Sequence, residues 1–240
     1  MTRRRLWLAL AVGLAVVVAG AVALVGTTRP DPEERDFPGN CDEALQTREE
    51  QLAEPITDGH RTIAVLGDSY SQGQSLSGPE DAWPVALGER LDAEVVVDGV
   101  GSTGFTTAGM CGPADVGFAQ RLADDPPDAD LVVVQGGVND AILGRPDLVG
   151  AAAADVLEEL ADTPTVVVVG PAAVPDADPV AVATVDAALR TATADAGRVY
   201  VPLVDAGIPL LPDRLHPTLQ GQQRIAELVA DALEAADAHR

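Results

Sequence analysis

Between residues 61 and 201 the chain carries five short, largely apolar runs, at 63–66, 94–97, 131–134, 165–169 and 199–201. Their residues are apolar in succession rather than alternately. That pattern suits strands buried on both faces, the condition of a parallel sheet. Helix candidates lie between them at 82–91, 116–123, 146–161 and 180–196, and a last one runs over 219–238. Strand–helix alternation of this kind predicts an α/β fold. It has a five-stranded parallel sheet with helices on both faces, a three-layer, doubly wound α/β/α sandwich.

The first run, Ile63-Ala64-Val65-Leu66, passes directly into Gly67-Asp68-Ser69-Tyr70. A buried parallel strand delivers the residues that follow it to the carboxyl edge of the sheet, where folds of this class keep their sites. Ser69 is thereby placed on a tight turn with its hydroxyl outward. A serine hydroxyl is a weak nucleophile unless a base adjoins it. The remaining chain therefore has to supply a histidine, an acid that orients it and donors for a developing oxyanion.

Asp213 and His216 meet the first two needs. They stand three apart in a loop just before the last helix candidate. At that spacing the carboxylate can turn onto the imidazole and fix its tautomer while the other ring nitrogen takes the serine proton. Asn139, in Gly136-Gly137-Val138-Asn139-Asp140, follows the third strand and brings a side-chain amide to the same sheet edge. After the second strand comes Asp98-Gly99-Val100-Gly101-Ser102-Thr103-Gly104-Phe105-Thr106, in which glycines let backbone N–H groups approach a ligand closely. This stretch also spells G-x-G-x-x-G. The dinucleotide fingerprint requires the third glycine to open a helix and an acid at the end of the next strand; here Gly104 leads into a loop and no such acid follows. The acidic stretch 124–130 lacks the spacing and glycine of a calcium loop and reads as a solvated turn.

Ahead of the domain, Arg3, Arg4 and Arg5 precede an uncharged apolar run from Leu6 to Gly26. About 20 apolar residues can span a bilayer, and the arginines hold the start of the run in the cytoplasm. A retained anchor over 1–26 fits this length. A cleaved signal peptide, with Ala21-Val22-Ala23 as its processing site, is the other reading. Either one puts the domain outside the cytoplasm. Residues 27–60 are polar and acidic, and read as a linker with a short helix over 42–53; the domain proper is expected over 61–240. The formal net charge is −23, which repels nucleic acid, and aromatic residues make up only 3%, too few for a base-stacking platform. Lysine is absent, which removes the P-loop lysine and Schiff-base chemistry. Cys41 and Cys111 are the two cysteines, and in an oxidising compartment they are expected to pair. His60, His216 and His239 lie at no metal-ligand spacing, so no metal is expected.

Taken together, these blocks resemble the SGNH hydrolase superfamily, the GDSL-type esterases and lipases. Gly67-Asp68-Ser69 with Gly73 matches the family's first block, with Tyr70 where many members have Leu. Residues 101–106 are similar to the second block, although Gly99 stands at the family's Asn. Gly137-Val138-Asn139-Asp140 matches the third block and Asp213 to His216 the fourth. Ala82-Trp83-Pro84 is similar to the helix that follows the first block in lipase and thioesterase members. The resemblance implies a flavodoxin-like fold and a catalytic set of Ser69 as nucleophile, His216 as base and Asp213 as its orienting acid. It also implies an oxyanion hole made of the Ser69 N–H, the Gly104 N–H (Gly101 being second choice) and the Asn139 amide, with no cofactor. The expected activity is hydrolysis of lipid, short-chain or acetylated-sugar esters. Acyl transfer to a wall or sugar acceptor and a non-catalytic carbohydrate-binding module are the alternatives.

Overall fold

The computed structural model describes residues 38–111 and 116–238. The expected anchor or signal peptide at 1–26 falls outside them. Among the described residues no helix is long and apolar enough to cross a membrane.

Five strands form one parallel sheet: β1 (Arg61–Gly67), β2 (Ala93–Gly99), β3 (Leu131–Gln135), β4 (Thr165–Val169) and β5 (Val199–Val201). Their order across the sheet is β2-β1-β3-β4-β5. The helices of the described residues are α1 (Pro38–Ala53), α2 (Ser69–Gln72), α3 (Trp83–Leu91), α4 (Phe118–Asp124), α5 (Val138–Ile142), α6 (Val149–Glu159), α7 (Pro179–Asp195) and α8 (Leu219–Asp237). This is the α/β/α sandwich that strand–helix alternation predicts, with the flavodoxin-like strand order.

The core divides by strand parity, because successive side chains leave a strand on opposite faces. Ile63, Val65, Val95, Val97, Leu131 and Val133 pack on one side with Trp83 and Leu87 of α3 and Ile225 and Val229 of α8. Leu66, Val132, Val134, Val166 and Val168 pack on the other with Phe118 of α4, Val156 of α6 and Leu189 of α7. Both layers of side chains are apolar, which is why the runs read as continuous rather than alternating.

Three features differ from expectation. Helices α2 and α5 are four and five residues long, too short for a periodic pattern to announce them. The helix expected over 146–161 begins with a 3₁₀ turn at Pro146–Leu148 before α6. Most informative is α1: the helix expected over 42–53 is present, starting at Pro38, but it packs on the domain although it lies within the stretch read as a linker. Arg48 pairs with Asp98 of β2, Gln51 is buried and donates to the Gln72 carbonyl at 3.3 Å, and beyond the helix the Ile56 N–H donates to the Val95 carbonyl at 2.8 Å. The compact unit accordingly begins at Pro38. Arg48 and Gln51 point their polar ends inward, where composition reads polar residues as solvated. The segment also occupies the edge of β2, whose unpaired backbone groups would otherwise invite pairing with another chain.

Cys41 of α1 and Cys111, in the loop after β2, form a disulfide with Cα atoms 5.3 Å apart. The bond encloses 70 residues of sequence separation, for which loop entropy gives roughly 4 kcal/mol as an upper figure. Reduction should therefore lower the melting temperature by up to about 10 °C. Protein purified without reductant should show no alkylatable thiol by mass spectrometry; two free thiols would refute the pairing.

Candidate active site

Ser69 emerges at the switch point of the sheet, where the connections from β1 and β3 leave to opposite sides. Gly67 ends β1. Asp68 then turns the chain and caps α2, its Oδ1 accepting the Tyr70 N–H at 2.9 Å. Ser69 is the first residue of α2, and the N–H groups of a helix's first turn have no partner inside the helix. Its N–H is thus available next to its own hydroxyl.

The loop before α8 brings the imidazole to it. Asp213 Oδ1 accepts the N–H groups of Leu215 and His216, each at 3.0 Å, and its Oδ2 lies 2.8 Å from His216 Nδ1. Burial alone would raise the Asp213 carboxyl, but the Leu215 N–H, the imidazole and the His216 N–H outweigh it and hold it below its usual range. An ionised carboxylate only accepts, so Nδ1 carries the ring proton and Nε2 is left to accept. Nε2 stands 3.2 Å from Ser69 Oγ. A second tie holds the loop in place. The Tyr70 hydroxyl donates to the Leu215 carbonyl at 2.6 Å, joining the residue after the serine to the residue before the histidine. Burial, with Asp68 and Asp213 nearby, pushes the Tyr70 phenol up and keeps it a donor.

On the far side stands Asn139, in α5. Gly137 adopts φ 112° ahead of it, a left-handed turn that glycine accepts without strain and that swings the chain from β3 into α5. Asn139 Nδ2 donates to the Thr103 carbonyl at 3.0 Å and lies 3.5 Å from Asp68 Oδ2. Asp140, fully buried, grips the loop after β2. Its carboxylate accepts the Phe105 N–H at 3.2 Å, the Thr106 N–H at 2.6 Å and the Thr106 hydroxyl at 2.8 Å.

Ser69, His216, Asp213 and Asn139 are therefore brought to one sheet edge. The two candidate glycines flank Thr103 beside them, with their N–H groups already engaged. The Gly104 N–H donates to the Thr107 carbonyl at 3.1 Å, inside its own turn, and the Gly101 N–H donates to Gln72 Oε1 at 3.3 Å. Two residues given no role in the sequence emerge as structural partners of the site. Tyr70 was visible only as a departure from leucine, and Asp140 only as the last letter of a matched block.

Residues 65–224 match the model of the GDSL-like Lipase/Acylhydrolase family. The fold, with a serine at its first strand end, is that of an ester hydrolase. The chain belongs to this GDSL family. Among solved structures it is similar to TesA, with 23% identity and a TM-score of 0.59 over 73% of this chain and 99% of that one. Est24, a carbohydrate acetylesterase from Sinorhizobium meliloti, is 16% identical with a TM-score of 0.61 over 74% of this chain and all of its own. The esterase EstA from Pseudoalteromonas sp. is 16% identical with a TM-score of 0.59, over 73% and 98% of the respective chains. No curated protein sequence matches the chain significantly.

Asp68 gives the site a measurable electrostatic signature. Burial pushes its carboxyl from 3.8 up to about 7, aided by the nearby Asp140 carboxylate and opposed by the Tyr70 N–H, Gln135 and Arg121. The unfolded chain ionises this group first, so its contribution to stability is lost as pH rises from about 4 to about 7. In Asp68→Asn that loss is absent. Thermal melts should show the variant gaining on the native protein across this window and running parallel above it; a difference independent of pH would mean that Asp68 does not titrate there.

Proposed function

We propose that the protein is an extracytoplasmic serine esterase that hydrolyses carboxylic esters through an acyl-enzyme. One observation carries this reading: Ser69 Oγ, both His216 ring nitrogens and Asp213 Oδ2 lie in one hydrogen-bonded line, at 3.2 and 2.8 Å. Nε2 takes the hydroxyl proton as Oγ adds to the ester carbonyl carbon. The oxyanion so formed is met by the Ser69 N–H and the Asn139 amide. Gly104, the third expected donor, joins them only by releasing the Thr107 carbonyl. The imidazolium returns its proton to the leaving alcohol, and the carbon–oxygen bond breaks. A water, deprotonated by the same nitrogen, then adds to the acyl carbon; the bond to Ser69 Oγ breaks, Oγ takes the proton back from Nε2, and the acid leaves.

The proposed substrates are lipid, short-chain acyl or acetylated-sugar esters, a range supported by the acetylesterase and esterase neighbours. The compartment is supported by the arginine-flanked apolar run at 1–26, read as anchor or signal peptide, and by the Cys41–Cys111 disulfide. Transfer of the acyl group to a sugar acceptor differs only in what intercepts the acyl-enzyme. Adding sugar acceptors to a hydrolysis assay separates the two by product.

A fluorophosphonate should label Ser69 alone, and Ser69→Ala should lose about 10³-fold or more in turnover while staying folded. Labelling of Ser71 or Ser102 instead would move the nucleophile. Asp213→Asn should depress turnover without unfolding, because the imidazole then loses the acceptor that fixes its tautomer. Asn139→Ala should cut kcat about 10²–10³-fold with KM nearly unchanged, as a transition-state donor requires. A raised KM with normal kcat would make Asn139 a binding residue.

A further inference from the structure

The carbonyl that holds the Asn139 amide is itself held. Thr103 is fully buried. Its hydroxyl donates to the Val100 carbonyl at 2.7 Å and accepts from Arg121 Nη2 at 3.0 Å. The same Nη2 donates to the Gly67 carbonyl at 2.9 Å, at the end of β1 immediately before Asp68. Nη1 donates to the Asp98 carbonyl at 2.8 Å and to Asp98 Oδ1 at 2.7 Å, at the end of β2. One planar guanidinium, itself 2% exposed, thus joins two strand ends to the loop beside Asn139. The helix that carries it adds another tie, since the Phe118 N–H donates to the Gly104 carbonyl at 3.1 Å.

Position 99 explains why this support comes from α4. A Cβ on Gly99 would lie 2.7 Å from the Gln72 nitrogen and 2.8 Å from its Cα, both backbone atoms of α2. The asparagine that the family resemblance leads one to expect there has no room. A support for the loop has to arrive from another element, and Arg121 reaches it from across the strand ends.

We propose that Arg121 is a positioning residue for oxyanion stabilisation, acting through Thr103 to aim the Asn139 amide. The proposal rests on the reading of Asn139 as an oxyanion donor. One Nδ2 hydrogen is committed to the Thr103 carbonyl at 3.0 Å, and that bond fixes where the second points; its partner, Asp68 Oδ2, is 3.5 Å away, a long contact that an oxyanion can displace. A preorganised donor stabilises a transition state because it need not reorient during reaction, and misplacement by about 1 Å can cost two orders of magnitude. Arg121 fixes the direction by fixing Thr103.

The test is a double-mutant cycle on the purified full chain with p-nitrophenyl acetate. Arg121→Lys keeps a cation beside Asp98 and loses the fork to Gly67 and Thr103. Thr103→Val removes the hydroxyl and keeps the shape. Each should lower kcat about tenfold, with KM changed less than about twofold. In an Asn139→Ala background each should cost less than about twofold, because no amide remains to be misaimed. If Arg121→Lys does not fold, Thr103→Val carries the comparison alone. Equal losses in both backgrounds, with Asn139→Ala itself costly, would overturn the proposal and leave Arg121 a packing residue. Full turnover in Asn139→Ala would overturn the reading of Asn139, and the proposal with it.

Discussion

Parallel register among three strands determines where Ser69, Asn139 and the loop through Thr103 can be. Gly67 of β1 pairs opposite Gly99 of β2 and Gln135 of β3, so the three strands finish at one level. The residues that leave them, Asp68-Ser69, the loop through Thr103, and Gly136 to Asn139, therefore emerge side by side. Slipping one strand by a residue would turn its apolar set to the wrong face of a sheet buried on both sides. The packing of Val65, Val95 and Val133 on one face and of Leu66, Val132 and Val134 on the other thus locks the geometry of the edge.

His216 comes from much farther along the chain, and its placement uses different forces. Within the loop, Asp213 organises its own neighbours by accepting two backbone N–H groups as well as the imidazole. That arrangement is local and would form in any loop of the same shape. Docking it onto Ser69 depends on long-range contacts, among them Leu210 and Leu215 packed against the core and the Tyr70 hydroxyl on the Leu215 carbonyl. A hydrogen bond of this kind contributes about 1 kcal/mol net. Its position matters more than its size, because it spans the helix of Ser69 and the loop of His216 directly.

Buried charge surrounds the edge. Burial would raise the Asp98 carboxyl, but Arg48 and Arg121 outweigh that cost and hold it below its usual range. Removing Asp98 would leave the buried Arg121 guanidinium uncompensated, which costs far more than the pair contributes. Arg48 belongs to α1, and α1 is tied by Cys41 to the loop after β2. The segment that composition marks as a tether is thus part of the scaffold behind the loop after β2.

Sequence alone determined the features whose causes are local. Five apolar runs and the helices between them specified the sandwich, since burial on both faces removes alternation from a strand. Ser69 was legible because a strand running into Gly-Asp-Ser has one geometric outcome, and Asp213 with His216 because three residues suffice to turn a carboxylate onto an imidazole. Asn139 followed from its place at a strand end. Tertiary structure decided what depends on partners distant in the chain. Whether the Gly104 N–H is free depends on the Thr107 carbonyl in a turn with no periodic signal. The membership of α1 in the fold rests on Arg48 and Gln51 reaching inward, against the usual meaning of polar residues. Arg121 touches Gly67, Asp98 and Thr103 only after β1, β2 and α4 have packed. No spacing along the chain encodes that meeting, because hydrogen bonds between remote segments are set by packing rather than by sequence separation.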